Sequence, residues 1–413
     1  STRIQADWPQ WRGPGGQGHA GASHLPAEWS EVKNVSWRTE LPGRGWSCPI
    51  VWGDRVFLTT VINEGKTEDP KKGLYFGGER PKFPDTVHQW KVYCLDLKSG
   101  KIRWEKEVHK GKPQSAIHVK NSYASETPVT DGERVYASFG SRGMLAVDFD
   151  GNIVWHREFG RIDNYHGPAG SPLLYRDTVI IYQDQNGGAF ILALDARTGE
   201  TRWRTARSAR VGWGTPIAIT AGDHDELIVS SQGQVQSYNP ETGDELWSCS
   251  GNLREVISTP VVGHGLVFCA SGRAGPTLAI KPGGSGDVTG THLEWKTTRG
   301  SPFVPSPILY GDYLYQLNDM SSIVTCLNAK TGETVWQERL GRPSREGISA
   351  SPVVVDDKLF VTNDNGQTFV LKTGAEFELL HTNDIGARTL ASPALVDGTW
   401  YIRTSSDLLA IGN

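Results

Sequence analysis

The sequence predicts an all-β ring of eight sheets, four antiparallel strands in each, closed by a strand from the chain's own N-terminal region. Three observations lead there. A short phrase recurs as YCLDLKSGKIRW, LAVDFDGNIVW, LALDARTGETRW, QSYNPETGDELW and TCLNAKTGETVW, in which apolar residues lead into Asp or Asn, a Gly follows, and Trp closes the phrase four residues after the Gly. Eight prolines, Pro49, Pro128, Pro172, Pro216, Pro260, Pro307, Pro352 and Pro393, each follow a small or hydroxyl residue and open an apolar run; the first gap is 79 residues and the rest are 41 to 47. The composition, with 48 Gly, 23 Pro and 15 Trp but only 2 Met in 413 residues, suits short strands and tight turns better than helices. A period in the low forties is what four strands and their turns require, and sheets stacked radially around an axis bury both faces of each, which is an eight-bladed β-propeller.

Each element can then be taken in order. Residues 1–33 form an N-terminal arm that packs on the propeller, and a single propeller domain fills 34–413. NVSWRTEL, residues 34–41, carries the hydrophobic-Trp pattern of a fourth strand, while the last unit, ASPALVDGTWYIRTSSDLLAIGN, holds only three. The N-terminal strand therefore completes the last blade, which removes the open edge of the ring. The sixth unit shows the order inside a blade: SPILY, turn GD, YLYQL, loop NDMSS, IVTCLN, turn AKTG, ETVW. Unit one is enlarged by an insertion over 61–88, too long for a hairpin loop, read as a partial lid with Phe76 and Arg80 as contacts or as a solvated excursion. Unit seven places Phe377 and Leu379 where the Trp is expected.

Formal net charge is -4, from 42 basic and 46 acidic residues, so nothing global points to nucleic acid. No apolar run is long enough to span a bilayer, and STRIQADWPQ lacks both a start methionine and the apolar stretch of a signal peptide, so the sequence reads as one that begins after a removed leader; the expected periplasmic or extracellular location rests on that and on the family the repeat resembles. Five cysteines without a CxxC or an adjacent pair argue against a disulfide framework, a zinc site or haem attachment. Cys94 and Cys326 fall where Ala146, Ala193 and Ala279 stand in other units, as small buried residues; Cys249 and Cys269 are the one pair to check.

The loops entering each inner strand, and those between second and third strands, emerge on one face of the ring, the natural place for a site. Arg44, Lys120, Arg210, Arg254, Arg299, Arg345 and Arg388 recur in the entering loops, His166 takes the place in blade three, and Arg142 and Arg273 lie in second-to-third loops. Clustered cations need anions. Either neighbouring acids supply them (Glu126, Asp163, Asp184, Glu255, Asp319, Glu346), or an anionic carbohydrate or other small anion does, held by guanidinium forks. Trp46, Tyr123, Tyr165, Trp213 and Phe303 offer stacking surfaces or, equally, a plug for the channel. His118, Tyr123, Glu126 and His166 are the candidates for an acid and a base, and an Arg beside Tyr or His would suit β-elimination from a uronic acid.

The Asp-x-x-Thr-Gly-x-x-x-Trp phrase resembles the repeat of the pyrroloquinoline-quinone-like (PQQ-like) eight-bladed propellers over residues 34–413, and the opening DWPQWRGPGGQG followed by LPAEWS is similar to the start of secreted PQQ-like repeat proteins of planctomycete-type bacteria. Three functions follow: from the arginine- and aromatic-lined mouth, a secreted or periplasmic protein that binds an anionic glycan or related small molecule; and, as the resemblance implies, a noncatalytic scaffold for envelope protein partners like the outer-membrane barrel-assembly lipoprotein, or a quinone-dependent oxidoreductase. The family's dehydrogenases carry an adjacent Cys-Cys pair, which this chain lacks. Asp184, Asn186, Asn318, Asp319, Asp364 and Asn365 offer oxygens but no assignable calcium set. No metal and no cofactor are therefore expected, PQQ with calcium included.

Overall fold

The computed structural model describes residues 7–21, 25–26, 28–65, 84–272, 275–341 and 347–412. Among them there is no α-helix, and the strands form eight sheets arranged as propeller blades over 50–111, 129–157, 173–206, 217–250, 261–297, 308–339, 353–384 and 394–411. Each proline of the repeat stands just ahead of an inner strand. The eighth blade draws its outer strand from Val35–Glu40, which pairs antiparallel with Asp407–Ile411 and so fastens the ring.

The core lies between blades rather than within one. Ile50, Phe57 and Val92 of blade one, for example, pack with Val135, Leu145 and Val147 of blade two, and the same holds at each following junction. Alternation explains this: a strand puts successive side chains on opposite faces, and both faces of every blade meet a neighbour.

The recurring phrase is the joint between blades. The outer-strand Trp stands across from a small residue of the third strand, Cys94 opposite Trp104, Ala146 opposite Trp155, Ala193 opposite Trp203 and Cys326 opposite Trp336. All five cysteines are buried and free, Cys249 and Cys269 included. The indole then reaches into the next blade, where its N–H donates to a backbone carbonyl: Trp37 to Leu97, Trp104 to Phe149, Trp155 to Ala196, Trp203 to Pro240, Trp295 to Ala329 and Trp336 to Gly374. The glycine of the next phrase lies against that ring. At Gly243 (φ +76°) an added Cβ would come within 2.4 Å of the Trp203 ring, so both the backbone angle and the close approach require glycine.

Two blades depart from the pattern. Blade five lacks the Asp-x-x-Thr-Gly turn, and Trp247 turns to its own blade instead, donating to the buried Glu226 carboxylate at 2.8 Å. In blade seven the residue across from Val370, in the Trp position, is His381. This corrects the sequence reading of Phe377 and Leu379: a one- or two-residue difference in turn length displaces every later position of a strand.

The arm lies across the face opposite the entering loops. Trp8 bridges Val51, Pro9 accepts from Thr130, Gln17 accepts from Val262, Arg12 donates to Pro307, and His19–Ala20 pairs in parallel with the inner strand of blade seven. One segment thus ties blades one, two, five, six and seven together. The insertion of blade one is bounded by strands ending at Asn63 and starting at His88; residues 66–83, with Phe76 and Arg80, lie outside the described residues.

Candidate functional site

The residue ahead of each blade proline builds the axis of the molecule. Cys48 N–H donates to Thr127 Oγ1, Thr127 N–H to Ser171 Oγ, Ser171 to Thr215, Thr215 to Thr259, Thr259 to Ser306, Ser306 to Ser351, and Ser351 to Ser392, at 2.8 to 3.1 Å. Hydrogen bonds from Ser392 to the Cys48 thiol close the circle, while burial raises the thiol's pKa above its ordinary value. The proline supplies no N–H of its own and holds the preceding residue extended, so the hydroxyl residue, not the proline, carries the link to the next blade.

This ring surrounds a central cavity of about 270 Å³ that opens at the entering loops. Its walls are largely apolar: Trp46, Trp213, Phe303, Ile257, Val304, Met320 and Leu390, with Trp11 of the arm at the far end. The Trp46 and Trp213 indoles are fixed by N–H donation to the carbonyls of Lys120 (2.9 Å) and Gly167 (2.8 Å). His118 and His166 meet edge to face with ring centroids 4.8 Å apart, and Tyr165 packs on His166 and donates to Glu255 Oε1 at 2.9 Å.

The charged residues at the mouth are mostly acids. Asp184, Asp319 and Asp364 occupy the same second-to-third loop in blades three, six and seven, and all three are buried. Asp184 pairs with Arg207, both side chains fully buried, at 2.8 Å. Asp364 pairs with Lys120 Nζ at 2.5 Å; burial pushes its carboxyl up and the ammonium opposes that. Asp319 accepts the Phe303 N–H and its own backbone N–H, and burial pushes its carboxyl up to about 6.

The predicted basic ring is not assembled around this cavity. Of its members among the described residues, only Lys120 and His166 line it. Arg210, Arg254 and Arg299 are exposed, and among the described residues none of the three makes an ion pair; Arg44 and Arg388 are half-buried, and Arg273 and Arg345 lie outside the described residues. Entering loops are long enough to turn a guanidinium outward, where it keeps its hydration and avoids the desolvation cost of a low-dielectric cavity. Arg142 instead covers the Trp90 ring at 5.3 Å and donates to the Lys112 carbonyl.

The four acid–base candidates also separate. His118 and His166 face the central cavity, whereas Tyr123 and Glu126 line a cavity of about 10 Å³ between blades one and two. Tyr123 Oη donates to the Ser115 carbonyl at 2.7 Å. Burial pushes the Glu126 carboxyl up to about 8, against some help from backbone N–H groups of Glu126, Ser125 and Gly140. A proton cannot pass directly between groups in different cavities, so neither histidine pairs with Tyr123 or Glu126. Among the described residues no three His, Cys, Asp or Glu side chains converge as a metal ion would require.

Of the residues singled out in the sequence, Trp46, His118, Lys120, His166, Trp213, Glu255, Phe303 and Asp319 line this cavity; the hydroxyl ring and Trp11 were not among them. The ring had a signal: a Ser or Thr stands before seven of the eight prolines.

A family model described as outer membrane protein assembly factor BamB matches residues 82–192 and 187–411. The chain belongs to this family of PQQ-like repeat propellers. BamB of Shewanella oneidensis is 22% identical over 310 residues, 71% of this chain and 73% of the relative. BamB of Burkholderia pseudomallei is 24% identical over 325 residues, 71% and 79% of the two chains. Among solved structures, BamB from Moraxella catarrhalis superposes with a TM-score of 0.59 at 16% identity over 77% of this chain and 91% of its own. A quinohemoprotein alcohol dehydrogenase from Comamonas testosteroni superposes with a TM-score of 0.67 at 12% identity over 98% and 80%. At such identities the structural likeness establishes the family's ring architecture and leaves function to the site.

Proposed function

We propose that this chain is a noncatalytic docking scaffold of the bacterial envelope, working in the periplasm and holding protein partners against the face on which the entering loops emerge. The observation that carries the reading is the family match, to proteins described as outer-membrane assembly factors. The geometry supports it in two ways. Arg210, Arg254 and Arg299 project from three consecutive entering loops, those of blades four, five and six, and none has an acidic partner among the described residues. An arc of unspent guanidinium groups on a rigid ring is complementary to an acidic protein segment and steers its approach. The dispersal of His118, His166, Tyr123 and Glu126 over two cavities fits a protein without turnover.

The test is retention of envelope proteins on the immobilised chain, compared with the triple variant R210E/R254E/R299E. The scaffold reading expects a defined protein to be retained by the wild type and released by charge reversal. A chain that retains no protein, yet gains thermal stability from acidic oligosaccharides through the same arginines, would replace it with the anionic-glycan reading.

A further inference from the structure

Four hydroxyls of the axial ring are half used. A Ser or Thr hydroxyl has two acceptor lone pairs and one donor hydrogen. Thr127, Ser171, Thr215, Thr259, Ser351 and Ser392 each accept one backbone N–H from a neighbouring blade; the Thr127 and Ser392 hydroxyls also hydrogen-bond the Cys48 sulfur, and for the other four no acceptor of the O–H stands among the described contacts. All six line the central cavity, and all but Thr215 are buried. A buried donor left without an acceptor costs about 1–3 kcal/mol, so four such hydroxyls around one lumen, three of them buried, favour an occupant rich in oxygen acceptors.

The rest of the lining narrows what that occupant is. The faces of Trp46, Trp213 and Phe303, with Ile257, Val304 and Leu390, present apolar surface that suits the C–H face of a ring and is a poor host for water alone. Glu255 and Asp319 line the same cavity and offer acceptors for hydroxyl donors. Among the described residues Lys120 is the one Lys or Arg in the lining, and it is committed to Asp364. A carboxylate- or phosphate-bearing guest would meet more like charge than opposite charge. About 270 Å³ lies just under the usual range of small-molecule sites, which starts near 300 Å³, and suits one ring rather than a chain of them.

We propose that the central channel binds a small neutral polyol of single-ring size, with its oxygens accepting from the hydroxyl ring, its C–H face against the tryptophans, and its own hydroxyls donating to Glu255 and Asp319. The site is separate from the arginine rim proposed to hold protein, so either reading can fail alone.

Ligand-detected saturation-transfer NMR and calorimetry with glucose, galactose, xylose and myo-inositol, alongside glucuronate, test this. At least one neutral probe is expected to bind saturably with Kd below about 10 mM and at least ~10-fold more tightly than glucuronate. Asp319→Asn, which keeps the shape, and Trp213→Leu are each expected to weaken it several-fold, while R210E/R254E/R299E binds it as the wild type does. The proposal is overturned if no neutral probe saturates, if glucuronate binds as tightly, or if Asp319→Asn binds unchanged. Should Trp213→Leu fail to fold, Asp319→Asn still decides.

Discussion

Lys120 Nζ stands 2.5 Å from Asp364 Oδ2, joining the entering loop of blade two to the second-to-third loop of blade seven across the mouth of the channel. The carboxylate is fully buried and the ammonium nearly so, so the pair is held away from water that would screen it. Removing one partner of such a pair strands the other. Lys120→Met is expected to lower unfolding free energy by about 3–5 kcal/mol, and Lys120→Met with Asp364→Asn to recover much of that. Urea titration of the three proteins checks it; equal stability of single and double variants would refute it.

Glu126 gives the stability a pH dependence. Its carboxyl is held up to about 8 in the fold against an ordinary 4.5, so the folded chain binds the proton more tightly than the unfolded chain. Stability from this group is full below about 4.5, declines as pH rises toward 8, and is gone above it; the span corresponds to several kcal/mol. Asp319, raised to about 6, adds a decline of the same sign between about 4 and 6. Glu126→Gln should flatten the fall in Tm between pH 6 and 8 that the wild type shows.

The axial ring predicts a cost for losing one oxygen. Thr259 Oγ1 accepts the Thr215 N–H at 2.8 Å, and Thr259→Val keeps the side chain's volume while leaving that N–H without its acceptor. A loss of about 1–3 kcal/mol is expected from the urea midpoint at unchanged slope. Thr259→Ser, which keeps the oxygen, should restore most of it.

The Trp–Gly joint is equally testable. Gly243→Ala places a methyl against the Trp203 ring at a backbone angle that side chains rarely adopt, so a loss of about 2–4 kcal/mol is expected. An exposed glycine with similar φ and nothing near its added Cβ, Gly233, provides the control: Gly233→Ala keeps the backbone strain without the clash, and should cost about 1 kcal/mol.

Closure of the ring depends on Val35–Glu40. Deleting residues 1–41 leaves Asp407–Ile411 as an unpaired edge and removes the arm that ties five blades together. The truncated chain is expected to elute as oligomers in size-exclusion chromatography and to lose its sharp thermal transition.

Periodicity is why the architecture was legible. Each blade repeats one local pattern, so the Gly-x-x-x-Trp phrase, the prolines and the missing fourth strand of the last unit are short-range signals that fix strand order and closure without any long-range information. Blade seven shows the limit: His381 rather than Leu379 stands in the Trp position, because register across a sheet depends on turn length that the sequence leaves open.

What the sequence by itself determined was the ring, its eight units, its closing strand, and which loops share a face. Which side chains turn inward was decided only by the tertiary structure. Arg210, Arg254 and Arg299 sit in the predicted loops yet point to solvent, while Asp319 and seven of the eight residues before the prolines line the axial cavity. The physical reason is that strand pairing is written in local pattern, whereas the direction of a long charged side chain on a loop follows from the balance between hydration and the charges that other blades bring to the same mouth.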